Sequence, residues 1–258
     1  EAGDFVPVAY EMRFENGKID RVDLCKDKDK VYVKVLDYKT GSKAFDVVAL
    51  YHGLQLQLMV YMDAAVKMTQ KHYPDSEVIP AGVFYYRLND PLVEKKVIGE
   101  KEEIWQKVLK ELKVDGVMNL KDETLEHLDH CQAGESAVIP VKYNKNGSLS
   151  KNSKVASEQE FEVMMRHALG KVLKVHRKIL SGEVAAFPYR RKQESGCDYC
   201  AYRHICGFDQ KIPGYKYRDI FEMTQSEVIA AMEADAVKEN VNRDDHEKEQ
   251  EKGTGSWE

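Results

Sequence analysis

No run of apolar residues in this chain approaches the roughly 18 that a membrane span requires. The opening EAGDFVPV has none of the marks of a secretory signal peptide. An initiator methionine is also missing, as expected of a piece taken from a longer protein. No repeat of fixed period appears. No phosphate-cradling glycine loop of the Walker type is present either, so this stretch is not expected to hydrolyse ATP by itself. A motif for reading base edges is lacking too, which fits action with little sequence preference on any nucleic acid it meets. Cysteine is scarce and odd in number, at five, and three of the five crowd into Cys197, Cys200 and Cys206. That pattern reads as metal ligation in a reducing, cytoplasmic compartment rather than as a disulfide scaffold.

What is present is enough for one sizeable core: 258 residues, 43% of them hydrophobic. The 32% charged fraction and mean hydropathy of -0.56 read as a soluble chain with no membrane partner. A net charge of -5 argues against coating nucleic acid by bulk charge, though an acidic metal site would itself contribute to that sign. Contacts to a polyanion would then fall to local clusters such as Arg190-Arg191-Lys192.

Along the chain, Phe5 to Phe14 reads as a strand and Asn16-Gly17 as a hairpin turn. Strands at Lys18 to Cys25 and Val31 to Tyr38 would complete an antiparallel meander. Ala49 to Lys71 has apolar residues at helical spacing, with Gly53 its one candidate breaker, and predicts a long helix. Pro80 and Gly82 introduce a strand at Val83 to Leu88, parallel to a neighbour because a helix crosses between them. The stretch from about 93 to 150, helical near Glu102–Leu112, reads as an insertion or peripheral layer. Glu158 to Ser181 predicts a second long helix stopped by Gly182. We expect a domain over about 1–220, with its core at about 5–90 and 155–185 and a cysteine module at about 188–209. The charged run over 233–258 reads as a frayed acidic tail.

The chemistry concentrates in Gly17-Lys18-Ile19-Asp20, then Asp37-Tyr38-Lys39, then Gln57 and Tyr61. Alternation on a strand points Asp37 and Lys39 to one face and Tyr38 to the other. A carboxylate binds a hard cation, while an ammonium beside it positions a water or steadies charge developing on a phosphate. Asp20 on the neighbouring strand supplies a second carboxylate, with backbone help at Tyr38. Mg²⁺ needs only one or two carboxylates plus water and substrate oxygens. Gln57 and Tyr61, four apart, share a helix face from which they can touch the phosphate or brace the lysine. Asp23 rivals Asp20, but alternation sends it to the opposite face. Asp-x-Lys alone is common, and the ordered set is what carries weight.

That set resembles the RecB-type branch of the PD-(D/E)XK nucleases. The blocks GKIDRVD, VLDYKTG, GLQLQLMVYMDAA, PAGVFYYRLNDP and SGCDYCAYRHICGFD are similar to the C-terminal nuclease domain of the AddB (RexB) family, over roughly residues 5 to 220. The resemblance implies an α/β fold with a mixed central sheet flanked by helices, restriction-endonuclease-like in its core. It also implies Mg²⁺-dependent phosphodiester cleavage on single-stranded ends of unwound duplex, in double-strand-break repair beside an AddA-type partner subunit. Asp20 and Asp37 then correspond to the metal carboxylates, Lys39 to the catalytic lysine, and Gln57 and Tyr61 to the trailing helix motif. Family members carry further site residues, commonly a histidine, on a helix upstream of the first strand, ahead of where this sequence begins.

By chemistry, Cys197, Cys200 and Cys206 suit Zn²⁺, with His204 as a fourth ligand, or an iron–sulfur cluster. The family resemblance implies [4Fe–4S], with a fourth cysteine far upstream and a structural role. Cys25 and Cys131 read as ordinary, partly buried cysteines. Tyr189, Tyr202 and Arg203, beside the basic cluster, face either a DNA backbone or solvent. Two other functions compete: a scaffold that binds DNA without cutting it, and a CRISPR-associated RecB-like exonuclease. The intact Asp-x-Lys disfavours the first, and the long 88–158 stretch disfavours the second.

Overall fold

A computed structural model describes residues 3–14, 17–41, 44–88, 101–131 and 133–238. They fall into two compact units, the first comprising Glu1–Asp46 with Gln55–Ala168 and the second Val47–Leu54 with Leu169–Glu258. Asn16 of the expected hairpin and residues 239–258 of the expected tail lie outside the described residues.

The first unit is built on a mixed sheet. Strands β1 (Val6–Phe14), β2 (Gly17–Asp27) and β3 (Lys30–Lys39) form the expected antiparallel meander. Helix α2 (Gln57–His72) then crosses to β4 (Glu77–Arg87), which pairs parallel to β3. The strand begins six residues earlier than expected, and Pro80 lies inside it. Ala81 is the extra residue there, because Val33 pairs with Pro80 and Lys34 with Gly82. Buried Asn119 repairs the irregularity by donating its side-chain amide to the Pro80 carbonyl at 3.1 Å.

Between β4 and the last long helix come α3 (Lys101–Leu112), β5 (Asp115–Asn119), α4 (Asp122–Leu128) and the short β6 (Val155–Ala156). Strand β5 pairs antiparallel with β4, and β6 parallel with β5, so the stretch expected as an insertion extends the sheet itself. Gly116 makes this possible. A Cβ there would lie 1.9 Å from the Val83 carbonyl oxygen.

Alternation along β3 divides the core. Val31, Val33 and Val35 face α2, whose Leu58, Met59 and Met62 are fully buried. Tyr32 and Leu36 face the other way into a cluster with Phe84, Met118, Leu125 and Leu128. A strand covered on both sides reads as a nearly unbroken apolar run, as KVYVKVL does.

The long helix expected over Ala49–Lys71 is two helices. The first, α1 (Val47–Tyr51), is stopped two residues on by Gly53, where φ is +82°, and α2 starts at Gln57. The apolar spacing runs across the break, but a left-handed glycine cannot continue a right-handed helix. The second long helix, α5 (Glu158–Leu180), matches expectation. It opens on a capping box in which Ser157 and Glu160 exchange side-chain to backbone bonds at 2.7 and 3.2 Å. It closes on Gly182, at φ +71°.

The second unit carries β7 (Tyr189–Arg191), β8 (Glu194–Ser195) and β9 (Arg218–Asp219) in a small sheet of order β8-β7-β9. A helical run over 225–238 begins with a second capping box, Thr224 with Glu227. Among the described residues, no helix is long and apolar enough to cross a membrane.

Candidate active site

Register brings the candidate residues together. Arg21 pairs with Leu36, so Asp20 lies opposite Asp37, one step further along the same two strands. Tyr38 donates its backbone N–H to Asp20 Oδ2 at 3.0 Å, which draws that carboxylate in beside Asp37. Asp37 is 1% exposed, buried where β3 meets α2. Lys39 forms an ion pair with Asp37 Oδ2 and donates to Gln57 Oε1 at 3.1 Å. Gln57 in turn donates to the Tyr61 hydroxyl at 2.9 Å. Strand β3 and the start of α2 thus carry one continuous polar chain, Asp37–Lys39–Gln57–Tyr61.

The transverse row extends further. Asp37 pairs with Tyr85 across β3 and β4, and Tyr85 with Asp115 across β4 and β5. Directly opposed residues share a face, so Asp20, Asp37, Tyr85 and Asp115 form one rung across four strands. Lys39 Nζ stands 5.6 Å from the Tyr85 ring centre. Burial, and then the charges of Asp37 and Asp115, push the Tyr85 hydroxyl up to about 12. Tyr85 and Asp115 do not stand out in the sequence. Their place depends on the parallel pairing of β4 and on β5, and no local signal marks either.

The side chain of Tyr38 points to the opposite face, as alternation requires, and meets Tyr86 edge-on at 5.8 Å. There it lines a cavity of about 420 Å³ with Arg21, Lys34 and Leu36. Asp23 faces that side too. It is fully buried and held by Arg21 at 2.7 Å and Lys34 at 2.8 Å, so its charge is matched by two cations of the protein. Asp20, partly open to solvent, is the carboxylate beside Asp37. Two clustered carboxylates and a nearby backbone carbonyl are hard oxygen donors, which fit a Mg²⁺-type cation.

In the second unit the three clustered cysteines are all free thiols, from partly buried to exposed. They sit in tight turns, with the Cys206 N–H bonded to the Tyr202 carbonyl at 2.8 Å. Asp198 caps the segment through the Ser195 N–H at 2.6 Å, a bond that lowers its carboxyl pKa. The Tyr217 hydroxyl is pushed up, first by its hydrogen bond to Cys197. Thiolates on one zinc ion stand about 3.8 Å apart, as Zn–S bonds of about 2.3 Å dictate. His204 is exposed. The basic residues of β7 and the turn after it are already paired: Arg190 with Asp219 at 2.7 Å, Arg191 and Lys192 with Glu222 at 2.8 and 3.0 Å.

The mixed sheet flanked by helices is consistent with a nuclease core, and comparison with known proteins gives the class. The sequence model of the PD-(D/E)XK nuclease superfamily matches residues 1–207, and the chain belongs to that superfamily. More narrowly, it is similar to proteins named as the B-type subunit of an ATP-dependent helicase/deoxyribonuclease. It is 38% identical to that of Lachnoclostridium phytofermentans over 245 residues, which is 88% of this chain and 21% of the relative. To that of Alkaliphilus oremlandii it is 35% identical over 246 residues, 93% of this chain and 21% of the relative. To that of Thermoanaerobacter sp. it is 32% identical over 212 residues, 82% of this chain and 18% of the relative. The chain thus spans about a fifth of the length of these relatives.

Proposed function

We propose that this chain is the DNA-cutting domain of a helicase–nuclease, and that it cleaves single-stranded ends released from unwound duplex. Asp20 and Asp37 would hold Mg²⁺, helped by the Tyr38 backbone carbonyl. When bound, such a cation supplies Lewis-acid activation of a water and of the scissile phosphate. Lys39 steadies charge developing on the phosphate, and its ammonium is aimed by Asp37 on one side and Gln57 on the other. Tyr61 fixes the Gln57 amide, so the lysine has one orientation rather than several. The observation that carries this reading is the unbroken hydrogen-bonded chain from Asp37 to Tyr61, with Asp20 one cross-strand step away.

The helicase/deoxyribonuclease relatives suggest the rest of the assembly: an AddA-type partner that unwinds the duplex, and work on double-strand ends for recombinational repair. Cys197, Cys200 and Cys206, with a fourth cysteine elsewhere in the parent protein, would hold a [4Fe–4S] cluster of structural role. The polar chain around Lys39 supports cleavage over the alternative, a scaffold that binds DNA without cutting it.

The test uses the complete helicase–nuclease. Asp37→Ala or Lys39→Ala should abolish cutting by this domain while leaving unwinding intact, and cutting at the wild-type rate overturns the assignment. Iron and sulfide analysis of the same complex checks the cysteine module, for which zinc in place of iron is the contrary result.

A further inference from the structure

Away from the nuclease residues, three donor atoms of different chemistry meet. One ligand atom each from Asp4, Cys25 and His127 lies within 4.8 Å of the other two, and this is the sole such group of three among the described residues. Asp4 precedes β1, Cys25 is buried on β2, and His127 stands in the last turn of α4. Each carboxylate oxygen of Asp4 faces an imidazole: Oδ2 lies 2.9 Å from His127 Nδ1, and Oδ1 lies 3.2 Å from His130 Nε2. We propose that Asp4, Cys25, His127 and His130 form a zinc site that fastens the start of β1 and the end of α4 to the sheet.

The donor set matches the ion. Zinc takes sulfur, imidazole and carboxylate in tetrahedral sites, and four protein ligands with no open position mark a structural one. One thiolate and one carboxylate neutralise Zn²⁺ fully, so two neutral imidazoles complete the shell without burying net charge. The supporting groups are in place. Asp27 Oδ2 lies 3.8 Å from His127 Nε2, longer than a hydrogen bond, on the far side of the ring from Asp4, so a small approach on metal binding would make it the orienting acceptor. The Tyr32 ring stands 4.9 Å from the His127 ring and limits its rotation.

The backbone is pressed together at the same point. The Asp4 N–H donates to the His127 carbonyl at 2.8 Å. A Cβ on Gly3 would come within 2.5 Å of that carbonyl oxygen, so only glycine permits the approach. Tetrahedral bonds of about 2.0–2.3 Å place ligand atoms roughly 3.3–3.8 Å apart. The three grouped atoms, each within 4.8 Å of the others, need to draw in by at most about 1.5 Å, and exposed His130, outside that group but 3.2 Å from Asp4, would swing in to complete the shell. Cys25 lies five residues beyond Asp20 on β2, roughly 17 Å along the strand. The ion would therefore serve the fold and not the phosphate reaction.

The test is Co²⁺ titration of the whole 258-residue chain, with Cys197, Cys200 and Cys206 all changed to Ser so that no thiolate signal arises there. One equivalent should bind with a thiolate-to-cobalt charge-transfer band and tetrahedral d–d bands, and Zn²⁺ should displace it. Cys25→Ser and His127→Gln should each abolish the charge-transfer band. Asp4→Asn changes an exposed residue and spares the fold, and it should weaken binding by more than about tenfold. If Asp4 and His127 form only an ion pair, the protein takes up no cobalt with a sulfur signature. That result, or a band that survives Cys25→Ser or an affinity unmoved by Asp4→Asn, overturns the site.

Discussion

Lys34 and Asp23 face one another across β3 and β2, their charged ends 2.8 Å apart, and the carboxylate is wholly buried. Arg21 closes on the same carboxylate from two residues away through two bonds, at 2.7 and 3.0 Å. The pairing defines the work of Asp23. A carboxylate committed to two cations on the far face of the sheet maintains the fold, whereas Asp20 keeps its oxygens toward Asp37.

Asp23→Asn should therefore destabilise without disabling. Two largely buried cations would lose their counter-charge, at a cost of about 3–5 kcal/mol. Urea unfolding followed by circular dichroism measures this, and cleavage at low temperature by the molecules that remain folded should match wild type. A loss of cleavage with unchanged stability would return Asp23 to the metal site.

Gln57 and Tyr61 should separate in degree. Gln57→Ala removes the acceptor for a charged amine, a bond of about 1.5–3 kcal/mol, and should slow cleavage roughly 10- to 100-fold. Tyr61→Phe removes a neutral bond one link further out, and should cost only about 2- to 10-fold. Single-turnover cleavage by the intact helicase–nuclease gives both numbers, and the reverse order would break the proposed chain of support for Lys39.

Alkali should act on two tyrosines before the rest of the fold yields. Burial first, then a hydrogen bond to Glu123, pushes Tyr32 up to about 12. Burial, then the charges of Asp37 and Asp115, does the same for Tyr85. An unfolded tyrosine ionises near pH 10. From about pH 10 to 12 the unfolded chain has released protons that the native chain retains, so stability falls as pH rises. Below pH 10 both states hold the proton and this dependence vanishes. Stability measured against pH should fall less steeply above 10 in Tyr32→Phe and in Tyr85→Phe, and ultraviolet titration of the phenolates should lose one late ionisation in each variant.

Two glycines should differ sharply. Gly116→Ala drives a methyl into the Val83 carbonyl and should cost at least about 3 kcal/mol, with loss of the β4–β5 pairing. At Gly53 nothing lies within 4 Å of an added Cβ, so Gly53→Ala meets only the left-handed backbone penalty, about 1–2 kcal/mol. Chemical denaturation of the two variants side by side checks the order.

The parts of the site legible in the sequence are those fixed by period and short spacing. Asp37 and Lys39 share a face because they are two apart on β3, and Gln57 and Tyr61 share one because they are four apart on α2. The meander and the parallel β4 follow from the same rules. The break at Gly53 is hidden because apolar residues keep helical spacing on both sides of it. Strand β5 is hidden because Asp115–Asn119 has one β-branched residue and a glycine, and becomes a strand only by pairing with β4. Tyr85 and Asp115 are hidden with it, since neither reaches the rung beside Asp37 until those distant strands are in register. The commitment of Arg190, Arg191 and Lys192 to Asp219 and Glu222 likewise depends on chain folding back from about thirty residues away.

Asp20, Asp37, Lys39, Gln57 and Tyr61 come from neighbouring parts of the sequence, the β2–β3 hairpin and, past the short α1, the start of α2. Closing the loops between them costs little entropy because each is short. These five side chains meet without help from the chain beyond β4, so a change of length there leaves their spacing intact.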